Sequence, residues 1–111
     1  MRWLIIVLLY TQTLFSQDFK DGISLVQFNA SFLSENTITL EPIENATTHL
    51  LLMGKHPVVF EKEKIVYLPT LILYHNGKEI VRVESDITLS LPEDSLEVIQ
   101  KEIDLIIESK F

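Results

Sequence analysis

The segment Tyr67–Tyr74 constrains the fold of this chain more than any other stretch of its sequence. It is an apolar run with a proline, Pro69, near its beginning, and the dipeptide Asn76–Gly77 follows shortly after its end. Proline donates no hydrogen bond to a sheet, so it favours the start of a strand rather than its middle. Asn–Gly is the strongest short-range signal for a two-residue hairpin turn. The segment therefore predicts a buried strand that turns back into an antiparallel edge strand at residues 79–84, which carries Glu79, Arg82 and Glu84.

Length and charge limit the number of domains and the kinds of partner. The 111 residues have room for one domain, and 47% apolar with 23% charged residues is a globular composition. The formal net charge is −7, the pI is about 4.8, and the basic residues are scattered. Nucleic acids and anionic membranes attract cationic surfaces. We therefore expect no nucleic acid as partner, and no membrane for the mature chain.

The first sixteen residues have the pattern of a secretory signal peptide. Arg2 supplies a positive charge, residues 3–10 are apolar, and a more polar stretch ends at the small residue Ser16. The apolar run is too short to span a bilayer, although an uncleaved anchor or a buried first helix remains an alternative. The Phe15–Ser16–Gln17 ending resembles signal ends of Bacteroidetes-type bacteria. We expect an exported protein, periplasmic or extracellular, with a signal peptide at 1–16, a polar lead-in at 17–22 and one domain at 23–111.

Hydrophobic periodicity predicts the remaining elements. Residues 23–28 form an apolar run typical of a central strand, and residues 49–53 predict a second strand that ends at Gly54. Pro57 suits the first turn of a helix that continues to about residue 64. Residues 31–45 predict only a short or kinked helix, since β-branched residues and Pro42 interrupt the helical pattern.

The C-terminal helix has the clearest helical pattern. Residues 90–93, Ser–Leu–Pro–Glu, match a capping box, and an apolar stripe continues the helix to about Ser109. The stripe consists of Leu96, Ile99, Ile103 and Ile106. The element order β-α-β-α-β-β-α predicts an α/β fold with a four-stranded mixed sheet and helices on both faces. We expect the first three strands to be parallel, joined by right-handed crossovers.

The element order and several local motifs resemble those of the thioredoxin family. Residues 25–30 resemble the strand that enters the thioredoxin active site, and Lys55–His56–Pro57 resembles the opening of its second helix. Pro69–Thr70–Leu71 and Asn76–Gly77 follow in the family order. The resemblance covers about residues 23–107. It implies the thioredoxin fold, with a cis peptide bond before Pro69.

The chain departs from the family at the positions that carry its chemistry. It has no cysteine, whereas thiol exchange requires a thiolate. The two thiol positions correspond to Leu33 and Asn36 in one register, or to Ser34 and Thr37 in another, and the sequence leaves both open. The buried acid of the family corresponds to Gln27, which does not titrate. The resemblance thus implies a redox-inactive variant whose degenerate active-site positions are Phe32, Leu33, Ser34, Glu35, Asn36 and Thr37.

Other catalytic chemistry has little support in the sequence. A nucleophilic hydroxyl at Ser34 or Thr37 would need a neighbouring base, and the three histidines lie on other elements. The spacing of His49, His56 and His75 matches no common metal-ligand pattern. We expect no catalytic residue, no metal and no cofactor.

Two hypotheses for function follow, and a third, an enzyme of another class, has no motif to support it. In thioredoxins, backbone groups beside the cis-proline pair with an extended substrate. The resemblance therefore implies a binding edge for a protein or peptide, with Pro69 kept only for strand geometry as the alternative. The second hypothesis is a structural or self-associating domain that uses an uncovered sheet edge at residues 50–52. The expected binding edge comprises Phe32, Leu33, Leu68, Pro69 and Thr70.

Overall fold

The computed structural model describes residues 18–109, without the side chains of Asp18 and of residues 34–36. The predicted signal peptide at 1–16 lies outside the described residues. None of the described helices is long and apolar enough to cross a membrane. The elements in chain order are a 3-10 turn (Asp18–Lys20), β1 (Ile23–Asn29), a second 3-10 turn (Ser31–Asn36), β2 (Thr47–Leu52), α1 (Pro57–Lys62), β3 (Thr70–His75), β4 (Lys78–Glu84) and α2 (Ser95–Ser109).

The four strands form one mixed sheet in the order β2-β1-β3-β4. Strand β1 is parallel to β2, while β3 is antiparallel to both β1 and β4. The apolar runs of β1 and β3 are buried because these two strands lie in the centre. The charged strand β4 lies at one edge, as predicted, and β2 lies at the other.

The direction of β3 corrects the prediction of three parallel strands, which holds for β1 and β2 only. A six-residue helix such as α1 spans about 9 Å, whereas a six-residue strand spans about 20 Å. The chain therefore does not return to the start of β2 before it enters β3. As a result, β3 begins where β1 ends, with Thr70 opposite Phe28.

The sheet separates two hydrophobic clusters, because alternate side chains of a strand face opposite sides. Helix α2 covers one face and α1 covers the other, which confirms helices on both faces. The cluster beneath α2 contains Leu25, Ile43, Leu71, Leu73, Ile99 and Ile103. The cluster beneath α1 contains Val26, Phe28, Phe60, Ile72 and Tyr74. The predicted polar lead-in also belongs to the packed domain, since Phe19 packs on this second cluster and Lys20 is buried.

The second 3-10 turn is short, and helix α2 begins later than the sequence predicts. The turn is limited to Ser31–Asn36, with a kink at Leu33 (φ −112°, ψ 26°), which agrees with the short or kinked helix predicted there. Helix α2 begins at Ser95, so the capping box predicted at residues 90–93 is wrong. The reason is a separate turn, in which the backbone N–H and the hydroxyl of Ser95 both donate to the carbonyl of Pro92 (3.2 and 2.5 Å).

Candidate functional site

The residues expected at the binding edge lie at the end of the sheet where β1 finishes and β3 begins. Because Phe28 is opposite Thr70 in the antiparallel ladder, the next positions outward bring Leu68 alongside Ala30. The Leu68–Pro69 peptide bond is cis. The second 3-10 turn, where the sequence predicts the degenerate active-site positions, follows Ala30 directly. The fold thus brings the Phe32 and Leu68 segments to the same end of the sheet.

The side chains of this edge differ widely in exposure. Phe32 is 75% exposed, Leu33 and Leu68 are half-buried, and Pro69 is buried. Thr70 is fully buried, and its hydroxyl donates a 2.5 Å hydrogen bond to the carbonyl of Tyr67. The apolar character of the expected edge is therefore carried by Phe32, and Thr70 offers no side-chain surface.

Two further exposed apolar residues precede Leu68. Val66 is 73% exposed and Tyr67 is 43% exposed. Neither residue belongs to the binding edge that the sequence predicts. The signal that could have indicated them is their apolar character next to a strand that begins only after Pro69. Together with Phe32 they form what we call the apolar rim.

The backbone of Leu68 provides polar groups beside this apolar rim. Neither its N–H nor its carbonyl is hydrogen-bonded to any backbone or side chain that the structure describes. The neighbouring carbonyls are engaged, since Tyr67 accepts from Thr70 and Pro69 accepts from the N–H of Ser85 (3.2 Å). Backbone groups without a protein partner must bind water or a ligand. Leu68 can therefore pair with an extended chain.

Gln27, which the sequence resemblance aligns with the buried acid of thioredoxins, has a structural role. It is 1% exposed, and its amide pairs with the backbone of Ile38 through two hydrogen bonds. Nε2 donates to the Ile38 carbonyl (2.9 Å), and Oε1 accepts from the Ile38 N–H (3.0 Å). An amide complements a peptide unit in this way because it both donates and accepts, whereas a carboxylate only accepts. Gln27 thus fixes the chain that follows the short first helix.

Asn29 holds the second 3-10 turn and Thr37 from the same face of β1. Its buried Nδ2 donates to the carbonyl of Leu33 (3.1 Å) and to the hydroxyl of Thr37 (2.8 Å). Its Oδ1 has no hydrogen-bond partner among the described residues. The side chains of Ser34, Glu35 and Asn36 lie outside the described part of the structure, so both predicted registers for the thiol positions of the family stay open.

The histidines do not converge. His49 lies in β2, His56 precedes α1 and His75 ends β3. Among the described residues, no group of three or more His, Asp or Glu side chains is arranged to hold a metal ion.

A buried charged cluster that sequence reasoning missed connects the N-terminal turn to α1 and β3. The ammonium of Lys20 lies 2.9 Å from Oε2 of Glu63, and the hydroxyl of Tyr74 donates to Oε1 (2.5 Å). Arg82 donates to the carbonyls of Glu63 and Lys64 (2.7 and 3.1 Å). The signal in the sequence was Tyr74, because a tyrosine in a buried strand needs a partner for its hydroxyl. This cluster is structural, since it lies beneath α1, where β1 begins and β3 ends.

The cluster shifts the pKa values of its members. Burial acts to raise the pKa of Glu63, but hydrogen bonds from Tyr74 and Lys20 outweigh it, so the pKa of this carboxyl is lowered. Burial and the hydrogen bond to Glu63 raise the pKa of Tyr74 far above its ordinary value. Glu63 is therefore ionised and Tyr74 is neutral at physiological pH.

Comparison with known proteins places the chain in a fold class. No protein-family model matches it, and no curated protein is similar to it in sequence. Solved structures do match. A thioredoxin mutant from Halobacterium salinarum is 16% identical, with a TM-score of 0.58, over 80% of this chain and 78% of that one. Thioredoxin from Trypanosoma brucei brucei is 14% identical, with a TM-score of 0.56, over 86% and 85%.

A designed protein is also similar, at 19% identity with a TM-score of 0.59 over 83% of this chain and 85% of that one. These likenesses confirm the thioredoxin-like fold, and identities this low show the fold alone. The chain is thus a thioredoxin-fold protein without cysteine, and it has no thiol of its own to exchange.

Proposed function

We propose that this protein is a non-redox binding module of thioredoxin fold that holds an extended protein segment along Leu68 and the apolar rim. The observation that carries the proposal is the backbone of Leu68, which has no hydrogen-bond partner in the described part of the chain. An added strand gains its affinity from main-chain hydrogen bonds and its specificity from alternate side chains. Leu68 offers one donor and one acceptor for such pairing.

The exposed side chains support the same mode of binding. Phe32, Val66 and Tyr67 expose apolar surface at the end of the sheet that also carries Leu68. Aromatic residues commonly dominate the binding energy of protein interfaces. Because the chain has a net charge of −7, we expect a bound segment with apolar side chains and a neutral or positive charge.

We also propose that the mature chain acts outside the cytoplasm. The charged start, apolar centre and small-residue end of residues 1–16 support this location. Expression of the intact sequence in a bacterial host, followed by N-terminal sequencing of the envelope fraction, tests it. A chain that keeps residues 1–16 and stays in the cytoplasm contradicts it.

The binding proposal is tested by titrating the isotope-labelled chain with short peptides that carry apolar and basic residues at alternate positions. We expect chemical-shift changes centred on Leu68 and the apolar rim. Phe32→Asp should weaken peptide affinity by roughly tenfold, which corresponds to about 1.4 kcal/mol. Val58→Asp is the matched control, because Val58 is 73% exposed against 75% for Phe32 and lies on α1.

Two outcomes would contradict the proposal. Equal peptide affinities for Phe32→Asp and Val58→Asp would remove the apolar rim from the binding site. Acceleration of insulin reduction by dithiothreitol above the buffer rate would show redox catalysis and overturn the non-redox claim. The second outcome requires a mechanism without a protein thiol, since the chain has no cysteine.

A further inference from the structure

The outer side of strand β2, at the edge of the sheet, is unpaired among the residues that the structure describes. Its inner side pairs with β1, and the N–H of Met53 donates to the carbonyl of Asn29 (2.9 Å). Backbone groups of alternate residues point to opposite sides of a strand, so Thr47, His49 and Leu51 face β1. Thr48 and Leu50 therefore direct their N–H and carbonyl groups outward. No strand within residues 18–109 pairs with this side.

The two edges of the sheet differ in how they are protected. Strand β4 carries Lys78, Glu79, Arg82 and Glu84, and a bulge interrupts its register near Tyr74. Charged residues and bulges are the usual means by which edge strands avoid pairing with other chains. Strand β2 has the sequence Thr–Thr–His–Leu–Leu–Leu and carries neither Lys, Arg, Asp nor Glu. It lacks the protection that β4 has.

We propose that β2 pairs with β2 of a second copy of this chain, antiparallel about a two-fold axis at Leu50. Directly opposite residues that share two hydrogen bonds must both direct their backbone groups outward. Leu50 opposite Leu50 of the second copy meets this condition. Thr48 lies opposite Leu52, whose N–H faces outward, whereas the Leu52 carbonyl already accepts from the N–H groups of Lys55 and His56 (both 3.0 Å). The two sheets then form one continuous eight-stranded sheet. The inference does not depend on the binding proposal, because it concerns a different edge of the sheet.

The charges that flank β2 favour the antiparallel arrangement. Glu44 precedes the strand by three residues, and Lys55 and His56 follow its end. The side-chain amide of Gln100 holds Glu44 in place, since Oε1 accepts from its N–H (2.9 Å) and Nε2 donates to its carbonyl (3.2 Å). A two-fold pairing centred on Leu50 brings Glu44 near Lys55 and His56 of the second copy. Parallel pairing would instead place like charges together.

The face of β2 that carries Leu50 is also partly exposed to solvent. Leu50 is 48% exposed, because the first helix is reduced to a 3-10 turn and leaves this face open. A surface pocket of about 290 Å³ opens there, lined by Gln27, Thr37, Ile38, Leu40, Thr48, His49 and Leu50. In the proposed pairing, Leu52 of the second copy lies opposite Thr48, on the face that contains this pocket. The second copy thus covers apolar surface that a longer helix would otherwise cover.

The absence of cysteine makes a direct test of the register possible. In the full chain, Leu50→Cys introduces the only thiol, and the pairing places its Cα about 5.5 Å from that of the second copy. Disulfides form at Cα separations of roughly 4.4–6.8 Å. Under mild oxidation we expect Leu50→Cys to form a covalent dimer. The control Ile80→Cys, on the other edge strand, should stay largely monomeric.

The oligomeric state of the unmodified chain provides an independent measurement. We expect light scattering to show a dimer whose fraction rises with concentration. Leu50→Lys should abolish the dimer while circular dichroism shows an intact fold. Ile80→Lys should leave the dimer fraction unchanged. Ile80 is a suitable match because it is 36% exposed on an edge strand.

Two results would overturn the proposal. One is a monomer at millimolar concentration together with exposed β2 amides in hydrogen exchange. The other is a monomer whose Thr48 and Leu50 amides are protected, which would assign the edge to residues 1–17 of the same chain. In both cases Leu50→Cys would cross-link no faster than Ile80→Cys.

Discussion

At Gln27 a buried amide makes the contacts that a backbone peptide unit would make. It donates to and accepts from Ile38 and so connects the centre of the sheet to the segment after the short helix. The sequence shows a glutamine, which does not titrate, at this buried position. It could not show the partner, since eleven positions and an irregular chain separate the two residues.

Gln27→Glu should destabilise the fold, and more so as the pH rises. The substitution removes the donor to the Ile38 carbonyl and, once ionised, leaves a buried carboxylate against that carbonyl. Burial raises the pKa of the new carboxyl above its unfolded value of about 4.3. Stability is therefore greatest below that value and falls as the pH rises through the folded pKa. We expect a loss of roughly 2–3 kcal/mol at neutral pH, measured by urea unfolding.

Gln100→Glu is the control for this prediction. Gln100 makes the same pair of hydrogen bonds with the backbone of Glu44, but it lies nearer the surface. Gln100→Glu should lose less stability than Gln27→Glu, with a weaker dependence on pH, because water solvates the new carboxylate. Equal losses for the two variants at neutral pH would show that burial at Gln27 has no special effect.

The hairpin turn depends on a single glycine. Gly77 has a φ of 87° and Asn76 a φ of 52°, in the left-handed region that glycine adopts without strain. Gly77→Ala should cost about 1 kcal/mol of stability in thermal unfolding. Gly54→Ala is the control, because Gly54 has no positive φ and open space where a Cβ would lie. A stability loss for Gly54→Ala as large as that for Gly77→Ala would contradict this explanation.

Among the elements, α1 depends most on tertiary contacts. Six residues are too few for a stable isolated helix. Phe60, its buried residue, packs edge-on against Phe28 with ring centroids 5.2 Å apart. Phe60→Ala should cost roughly 3–4 kcal/mol and expose the amides of α1 to hydrogen exchange. Val58→Ala, at a 73% exposed position of the same helix, should change stability by less than about 0.5 kcal/mol, and a similar loss there would contradict the anchoring role of Phe60.

The elements also show where sequence information ends. Strand β1 and the β3–β4 hairpin could be predicted because apolar runs and the Asn76–Gly77 turn are local signals. The direction of β3 depends on the length of helix α1. The sequence contains no clear stop signal that would fix where α1 ends. The start of α2 was misplaced because Ser90 and Glu93 match a capping box, while Ser95 forms the actual turn with Pro92. The start of α2 is therefore set by the local hydrogen bond between Ser95 and Pro92, which the capping-box pattern does not reveal.

The candidate site was only partly accessible to prediction, for similar reasons. Pro69 lies at the end of the sheet that also carries Phe32, and the side chain of Phe32 is exposed. The burial of Thr70 and the unpaired backbone of Leu68 depend on the β1–β3 register, which no local pattern gives. Residues 66 and 67 became candidates only once the start of β3 was known.

At the scale of the whole molecule, Glu63 connects three parts of the chain that are distant in sequence. Lys20 lies before β1, Glu63 follows α1, and Tyr74 lies near the end of β3. The ring of Tyr74 also packs edge-on against Phe19, with centroids 5.9 Å apart. Contacts of this kind stabilise the folded state as a unit, because unfolding of any one part leaves a buried charge without its partners.

Stability should therefore fall at acidic pH in a way that depends on Glu63. Its pKa is lowered in the folded state, so its contribution is present above the unfolded value of about 4.3 and is lost as the pH falls through the folded pKa. Glu63→Gln should cost roughly 1.5–3 kcal/mol at neutral pH, and its difference from the wild type should shrink on acidification. Urea unfolding across this range measures the effect. Glu61→Gln, at an exposed position of α1, is the control and should keep the wild-type dependence of stability on pH. If Glu63→Gln also keeps the wild-type pH profile, the cluster around Glu63 does not contribute to stability at acidic pH.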